Sequence, residues 1–213
     1  MPTLTTYKVK TKGNNLVLRV AKGHFATGRS HSNYFIDVSV QKARLSEATA
    51  LAKEIATHYN KSTIVDTILC LDEMQVVGTC LAAELTKGDF LNMNAHQTIY
   101  VVTPESTSGN QLLFRDSLTP MIAGKHVLVL AASVNTGYTA KAAIEAINYY
   151  GGKAVGIASI FATTEECMDI PVHSVFNPND LDGYEISPSH ECKMCKRGEK
   201  IDALVNSFGF SKL

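Results

Sequence analysis

No apolar run in this chain approaches the roughly 18 residues that span a bilayer, which argues against a membrane helix. The opening stretch Met1-Pro2-Thr3-Leu4-Thr5-Thr6-Tyr7 also lacks the apolar core of a secretory signal. Neither sign of charge is in excess: 20 basic residues balance 20 acidic ones, so no basic stripe suggests nucleic acid and no charged block reads as a tail. Cysteine is sparse and odd in number, at five, which suits a reducing cytoplasm better than a disulfide scaffold. Neither G-x-G-x-x-G nor G-x-x-x-x-G-K-[ST] occurs, which disfavours a dinucleotide-dependent dehydrogenase and a P-loop enzyme. Internal repeats and low-complexity tracts are missing as well.

What is present is a chain of 213 residues, 45% hydrophobic, enough for one sizeable core. Asn15–Val20 and Tyr34–Val38 read as strands around the turn-rich Gly23–Ser30. Ser46–Tyr59 reads as a helix starting at Ser46-Glu47, with Ala48, Leu51, Ala52 and Ile55 on one face. A βα alternation follows. Strand Thr67–Leu71 leads through the loop Asp72–Gln75 to helix Val76–Leu85, and strand Thr98–Val102 precedes a polar segment, Thr103–Lys125. Strand His126–Leu130, helix Ala140–Tyr150, the stop Gly151-Gly152 and strand Ala154–Phe161 complete the pattern. Such alternation predicts an α/β fold, a mainly parallel sheet flanked by helices. Thr103–Lys125 exceeds the usual loop length, so it reads as a mobile lid carrying Arg115, with a surface excursion or hairpin as the alternative.

The run Val127-Leu128-Val129-Leu130-Ala131-Ala132-Ser133-Val134-Asn135-Thr136-Gly137-Tyr138-Thr139-Ala140 carries the chemistry. A hydrophobic strand passes into a small hydroxyl-bearing loop and then a helix, whose first N–H groups and dipole favour a bound phosphate. Gly137 allows close backbone approach, while Thr136 and Thr139 add hydroxyl donors. A plain strand-to-helix turn is the alternative.

This run resembles the phosphoribosyl-diphosphate (PRPP) signature of type I phosphoribosyltransferases: four hydrophobic residues, two acids, then a Thr/Gly loop opening a helix. Gly23–Asp37, with Phe25-Ala26-Thr27-Gly28-Arg29-Ser30-His31-Ser32-Asn33-Tyr34, looks like the N-terminal segment of the orotate branch. The resemblance covers Gly23 to Phe161 in unbroken order. It implies one phosphoribosyltransferase-like domain, residues 1–213, with an N-terminal hood segment (1–45) and an α/β core (46–165), to which a C-terminal extension (166–213) outside the standard family pattern is added. The N- and C-terminal segments would together form the small hood. It assigns the 5′-phosphate to Asn135, Thr136, Gly137, Tyr138 and Thr139, and the pyrophosphate to Asp72, Glu73, Met74 and Gln75. Two carboxylates there would repel pyrophosphate unless Mg²⁺ lies between them. Either they help to hold Mg²⁺, or the loop has lost pyrophosphate, or Asp72 simply caps the following helix. The implied activity is transfer of ribose 5-phosphate to a nucleobase, a glycosyltransferase reaction of pyrimidine and nucleotide metabolism, in a cytoplasmic homodimer.

Departures from the family pattern open a second reading. Ala131 and Ala132 stand where the acidic pair contacts the ribose and supports its developing positive charge. The preceding strand runs into Val101-Val102-Thr103-Pro104-Glu105 without Arg-Lys, and no Lys or His precedes Arg115 in the lid. The strand at Ala158-Ser159-Ile160-Phe161 lacks the base-clamping Asp-Arg, and the lysine before the N-terminal Ser-Gly position is missing. The alternative is therefore a catalytically inactive sensor of PRPP or nucleotide.

Near the C-terminus, Cys192-Lys193-Met194-Cys195 has C-x₂-C spacing, which can chelate Zn²⁺ from a tight turn. Cys167, His173 or His190 would have to complete a tetrahedron. Two unligated surface cysteines are the alternative, and a redox pair lacks the strand-to-helix context of thioredoxins. Ile201–Phe210 is apolar at helical spacing and reads as a docking helix.

Overall fold

A computed structural model describes residues 5–10, 16–88, 90–107, 109 and 111–213. Asn15, expected to open the first strand, Ser108 and Asn110 of the expected lid, and Met1–Leu4 lie outside the described residues. Strands β1 (Tyr7–Lys10), β2 (Val17–Ala26) and β3 (Ser30–Asp37) come first, then helices α1 (Ser39–Ala43) and α2 (Leu45–Ala56). Next are β4 (Thr67–Cys70), α3 (Gln75–Leu85), β5 (Tyr100–Val102) and the short strands β6 (Glu105–Ser106) and β7 (Leu112–Leu113). β8 (His126–Val134), α4 (Tyr138–Tyr149), β9 (Lys153–Ala162), β10 (Glu166–Cys167) and β11 (Ile170–Phe176) follow. The last elements are β12 (Ile186–Pro188), the one-turn α5 (Lys193–Lys196), β13 (Ala203–Asn206) and β14 (Gly209–Lys212).

The chain divides into two compact units, Gln41–Val175 and Met1–Val40 with Phe176–Leu213. The larger holds a sheet of order β10-β11-β9-β8-β4-β5, in which β5, β4, β8 and β9 pair in parallel. Every residue of β4 is buried, and so is β8 from Val127 to Ala132. Strands covered on both faces read as continuous apolar runs, which is why Thr67–Cys70 and Val127–Ala132 show no alternation. Val127, Val129 and Ala131 pack with Ile144, Ile147 and Ile157 in one cluster, and each large side chain so buried contributes about 1.5–3 kcal/mol. Ala48, Leu51, Ala52 and Ile55 are buried on α2, the face expected from its periodicity. The buried Tyr59 hydroxyl donates to the Ile157 carbonyl at 2.9 Å.

The smaller unit draws on both ends of the chain. Its sheet has the order β12-β3-β2-β13-β14, and β1 also pairs antiparallel with the start of β2. β2 and β3 form an antiparallel hairpin, and β13 joins β2 in parallel through Ala203–Phe25 and Leu204–Ala26. Phe25, Phe35 and Ala203 form its apolar cluster.

Several local expectations are corrected. α2 begins one residue before Ser46, after Arg44, and no side chain caps it. Thr103–Lys125 contains a short hairpin, the alternative weighed for it: Glu105 pairs with Leu113 and Ser106 with Leu112, while Leu112 and Phe114 are buried. Strands of two residues are too short to leave a periodic signal. Ile201–Phe210 forms no helix but the β13–β14 hairpin. Asn206 Oδ1 accepts from the Phe208 amide and Gly209 takes φ +133°, so local turn chemistry overrides an ambiguous apolar spacing.

Candidate functional site

Parallel strands β4 and β8 lie side by side, with Cys70 opposite Leu130, so the loops leaving their carboxyl ends are neighbours. In open α/β sheets that is where ligands bind. After β8 the chain turns at Asn135, Thr136 and Gly137 into α4. Gly137 is the N-cap, at φ +69°, a conformation that costs other residues about 1–2 kcal/mol. Gly137 has no side chain with which to cap α4, whose N-terminus is an anion-attracting helix end. Thr136 and Thr139 are exposed. Asn135 has its Oδ1 buried with no hydrogen-bond partner. The loop is braced from β9: the Thr163 hydroxyl donates to the Asn135 carbonyl at 2.7 Å and the Thr163 amide to the Val134 carbonyl at 3.0 Å.

The loop after β4 is strained. Asp72 and Glu73 have φ of 50° and 62°, two successive non-glycine residues in the left-handed region. Such conformations persist only where surrounding contacts impose them, and they cluster at ligand clamps. Here the contacts come from Lys42, whose side chain is only 8% exposed. Its Nζ donates to the Asp72 carbonyl at 2.9 Å and to Glu73 Oε2 at 3.3 Å. The Asp72 carboxylate accepts from the Ala132 amide at 3.2 Å, so it does not cap α3, whose N-cap is Met74. Burial pushes the Asp72 carboxyl above its ordinary value, against the opposing pull of the Ala132 amide and Lys42. Met74 is fully buried, so its side chain packs in the core, and the exposed Gln75 opens α3.

Ala131 and Ala132 are buried within β8, which runs on to Val134 and does not end at Leu130 as expected. Neither side chain can supply a charge or an acceptor there. Arg115 is engaged within its own hairpin, with Nε and Nη2 on the two carboxylate oxygens of Glu105 at 2.6 and 2.7 Å. Hydrogen bonding and charge from Arg115 hold the exposed Glu105 below its ordinary value.

The C-x₂-C pair has partners other than those expected. In the smaller unit, Cys192 and Cys195 meet His24 and His31, and the four ligand atoms lie within 4.8 Å of one another. Cys167 belongs to the larger unit, where its thiol faces the Gly137 carbonyl at 3.7 Å. His173 stacks on His58 at 4.5 Å, and the exposed His190 pairs with Glu191 at 3.3 Å. His24 and His31, which flank the β2–β3 turn, lie too far from the cysteines along the chain to share a local motif with them. Lys42 likewise carries no local signal beyond its place in a short helix.

No protein-family model matches the chain. Among solved structures it is similar to orotate phosphoribosyltransferase of Mycobacterium tuberculosis H37Rv in complex with Fe(III) dicitrate. That match has TM-score 0.55 and 18% identity over 77% of this chain and 92% of that one. Leishmania donovani UMP synthase matches with TM-score 0.56 and 17% identity, over 76% of this chain and 34% of that longer one. Adenine phosphoribosyltransferase of Trypanosoma brucei, in complex with AMP, pyrophosphate and ribose-5-phosphate, matches with TM-score 0.50 and 13% identity over 71% and 73%. The architecture shared with them is the type I phosphoribosyltransferase fold.

Proposed function

We propose, with that fold as premise, that the larger unit binds PRPP or a nucleoside 5′-monophosphate at the carboxyl ends of β4 and β8. The observation that carries this reading is the start of α4: an uncapped helix N-terminus, a left-handed Gly137, two exposed threonines and the unpartnered buried Asn135 Oδ1. The complex of the Trypanosoma brucei relative with AMP, pyrophosphate and ribose-5-phosphate supports the same ligand class. Asn135, Thr136, Gly137, Tyr138 and Thr139 would take the 5′-phosphate. Lys42, Asp72 and Glu73 would face the pyrophosphate end, Lys42 as the cation and the strained Asp72–Glu73 pair as the clamp.

The donor set after β4 fits Mg²⁺, a hard cation held by one or two carboxylates together with substrate phosphates. Asp72 and Glu73 would hold it, and it would neutralise pyrophosphate charge. With a base bound, the transfer forms a bond from a ring nitrogen to the ribose anomeric carbon as the bond to pyrophosphate breaks. The orotate-like branch is our choice of base class. Ala131 and Ala132 favour a second reading, a binder that senses PRPP or nucleotide without turning it over, because no strand-end acid stabilises positive charge on the ribose. We extend the proposal to a cytoplasmic homodimer, to be checked by sedimentation of the purified chain and localisation of a tagged copy.

Calorimetric titration with PRPP and with nucleoside monophosphates, with and without Mg²⁺, tests the site. Pyrophosphate release across a panel of bases then tests turnover. The expected result is phosphate-ester binding, with Mg²⁺ strengthening PRPP more than monophosphate. Binding without pyrophosphate release would establish the sensor; failure of every phosphate ester to bind would overturn both readings.

A further inference from the structure

Cys192 and Cys195 lie more than 160 residues from His24 and His31 along the chain, yet the four side chains converge. His24 Nε2 lies 3.0 Å from His31 Nδ1, 3.5 Å from Cys192 Sγ and 3.6 Å from Cys195 Sγ, and His31 Nδ1 lies 3.2 Å from Cys195 Sγ. His24 Nδ1 is 3.1 Å from the Glu199 carbonyl, which can only accept, so Nδ1 donates there and Nε2 faces the cluster. Three groups, His31 Nδ1 and the two thiols, converge on Nε2.

We propose that His24, His31, Cys192 and Cys195 together bind one Zn²⁺, which ties the C-terminal segment to the β2–β3 hairpin. A tetrahedron with Zn–N near 2.0–2.1 Å and Zn–S near 2.3 Å has N···N edges of about 3.3 Å and N···S edges of about 3.6 Å. The four separations above lie within a few tenths of an ångström of those edges, and the other two pairs lie within 4.8 Å. Two thiolates and two imidazoles select zinc over the hard Mg²⁺ that suits Asp72 and Glu73. A two-iron cluster would set the histidine nitrogens much farther from the sulfurs, whereas these separations fit a single ion. Four protein ligands leave no open position, so the site is structural rather than catalytic.

The surroundings are built for this role. β2 bulges where Gly23 and His24 together oppose Asn33, and beyond the bulge Ala26 pairs with His31. Strand alternation then puts His24 and His31 on one face. Glu199 sets the His24 tautomer, as carbonyls do behind zinc-bound histidines. Asp202 pins the same residue: its Oδ2 accepts from the His24 amide at 2.7 Å and its own amide donates to the His24 carbonyl at 2.8 Å. A Cβ on Gly23 would come within 2.7 Å of that Asp202 oxygen, so glycine is required for the approach. Cysteines and their bracing residues thus arrive on one short segment, 192–202. The ion would contribute folding free energy directly, because the unfolded chain holds no preformed site.

The test is metal analysis of the full chain purified under reducing conditions without chelator, then after reconstitution with Zn²⁺. About one zinc per chain is expected, falling to a small fraction of that in Cys195→Ser and in His31→Ala. Should those variants fail to fold, Co²⁺ exchanged into the unaltered chain gives the answer: intense tetrahedral d–d bands with thiolate charge transfer are expected. A weak octahedral cobalt spectrum, substoichiometric zinc after reconstitution, or a Cys192–Cys195 disulfide that persists under reductant would each overturn the site. None of these readouts depends on phosphate-ester binding.

Discussion

The backbone amide of Ala132 donates to Oδ2 of Asp72 at 3.2 Å, which brings a carboxylate from the end of β4 onto the end of β8. The strand that lacks its own acids therefore has one beside it, supplied by a residue sixty positions earlier and held in a left-handed conformation.

Asp72 makes folding sensitive to pH. Burial raises its folded-state value, so the folded chain holds this proton more tightly than the unfolded chain does. Stability then declines as pH rises from the ordinary carboxylate range through the raised value, and stays lower above it. Asp72→Asn keeps an acceptor for the Ala132 amide and removes the charge. Urea unfolding between about pH 4 and 8 is expected to give a flatter profile for the variant, with stability at neutral pH equal to or above the parent's. A neutral-pH loss of about 1 kcal/mol or more would show that the ionised form is favourably held.

Ala132→Asp places a second carboxylate beside Asp72 in a buried setting. Like charges there disfavour joint ionisation, and a loss of about 1–3 kcal/mol is expected without divalent metal. PRPP with Mg²⁺ should recover much of it, and pyrophosphate release should rise if catalysis was lost through the missing acids. Thermal melts with and without ligand check the first point; a melt unaffected by the substitution contradicts it.

Asp66 fastens the start of the sheet. Its Oδ2 accepts from the His126 amide at 2.7 Å and lies 2.9 Å from the His126 ring Nδ1. Burial pushes this carboxyl up, but the hydrogen bonds and charge of His126, with Lys125, outweigh it and leave the value lowered. Its stabilising contribution is present above the ordinary carboxylate range and is lost as pH falls through the lowered value. Asp66→Ala should cost about 1 kcal/mol at neutral pH, a difference that narrows in acid. Denaturant midpoints of the two proteins at neutral and acid pH measure it.

Gly137→Ala puts a Cβ at φ +69°, 3.4 Å from Cys167 Sγ. A stability loss of about 1 kcal/mol and roughly tenfold weaker nucleoside monophosphate binding are expected, because relieving the strain would move the amides proposed to hold the phosphate. Calorimetry on the folded variant decides; unchanged affinity would place the phosphate elsewhere.

The sequence by itself determined the βα alternation, the apolar strands of a parallel sheet, the buried face of α2, the small hydroxyl-bearing loop before α4 and the absence of acids at Ala131 and Ala132. These are local properties, written in hydrophobic period, run length and turn chemistry over a few residues. Only the tertiary structure decided which histidines meet Cys192 and Cys195, that Lys42 supports the Asp72–Glu73 turn, and that Asp72 faces Ala132 instead of capping α3. It also decided that β13 of the Ile201–Phe210 hairpin pairs with β2, a partner that no local pattern announces. The physical reason is distance along the chain. Local conformational preferences act over a turn or two, whereas the ligand quartet and the strand-end carboxylate exist only once segments sixty to more than 160 residues apart are packed together.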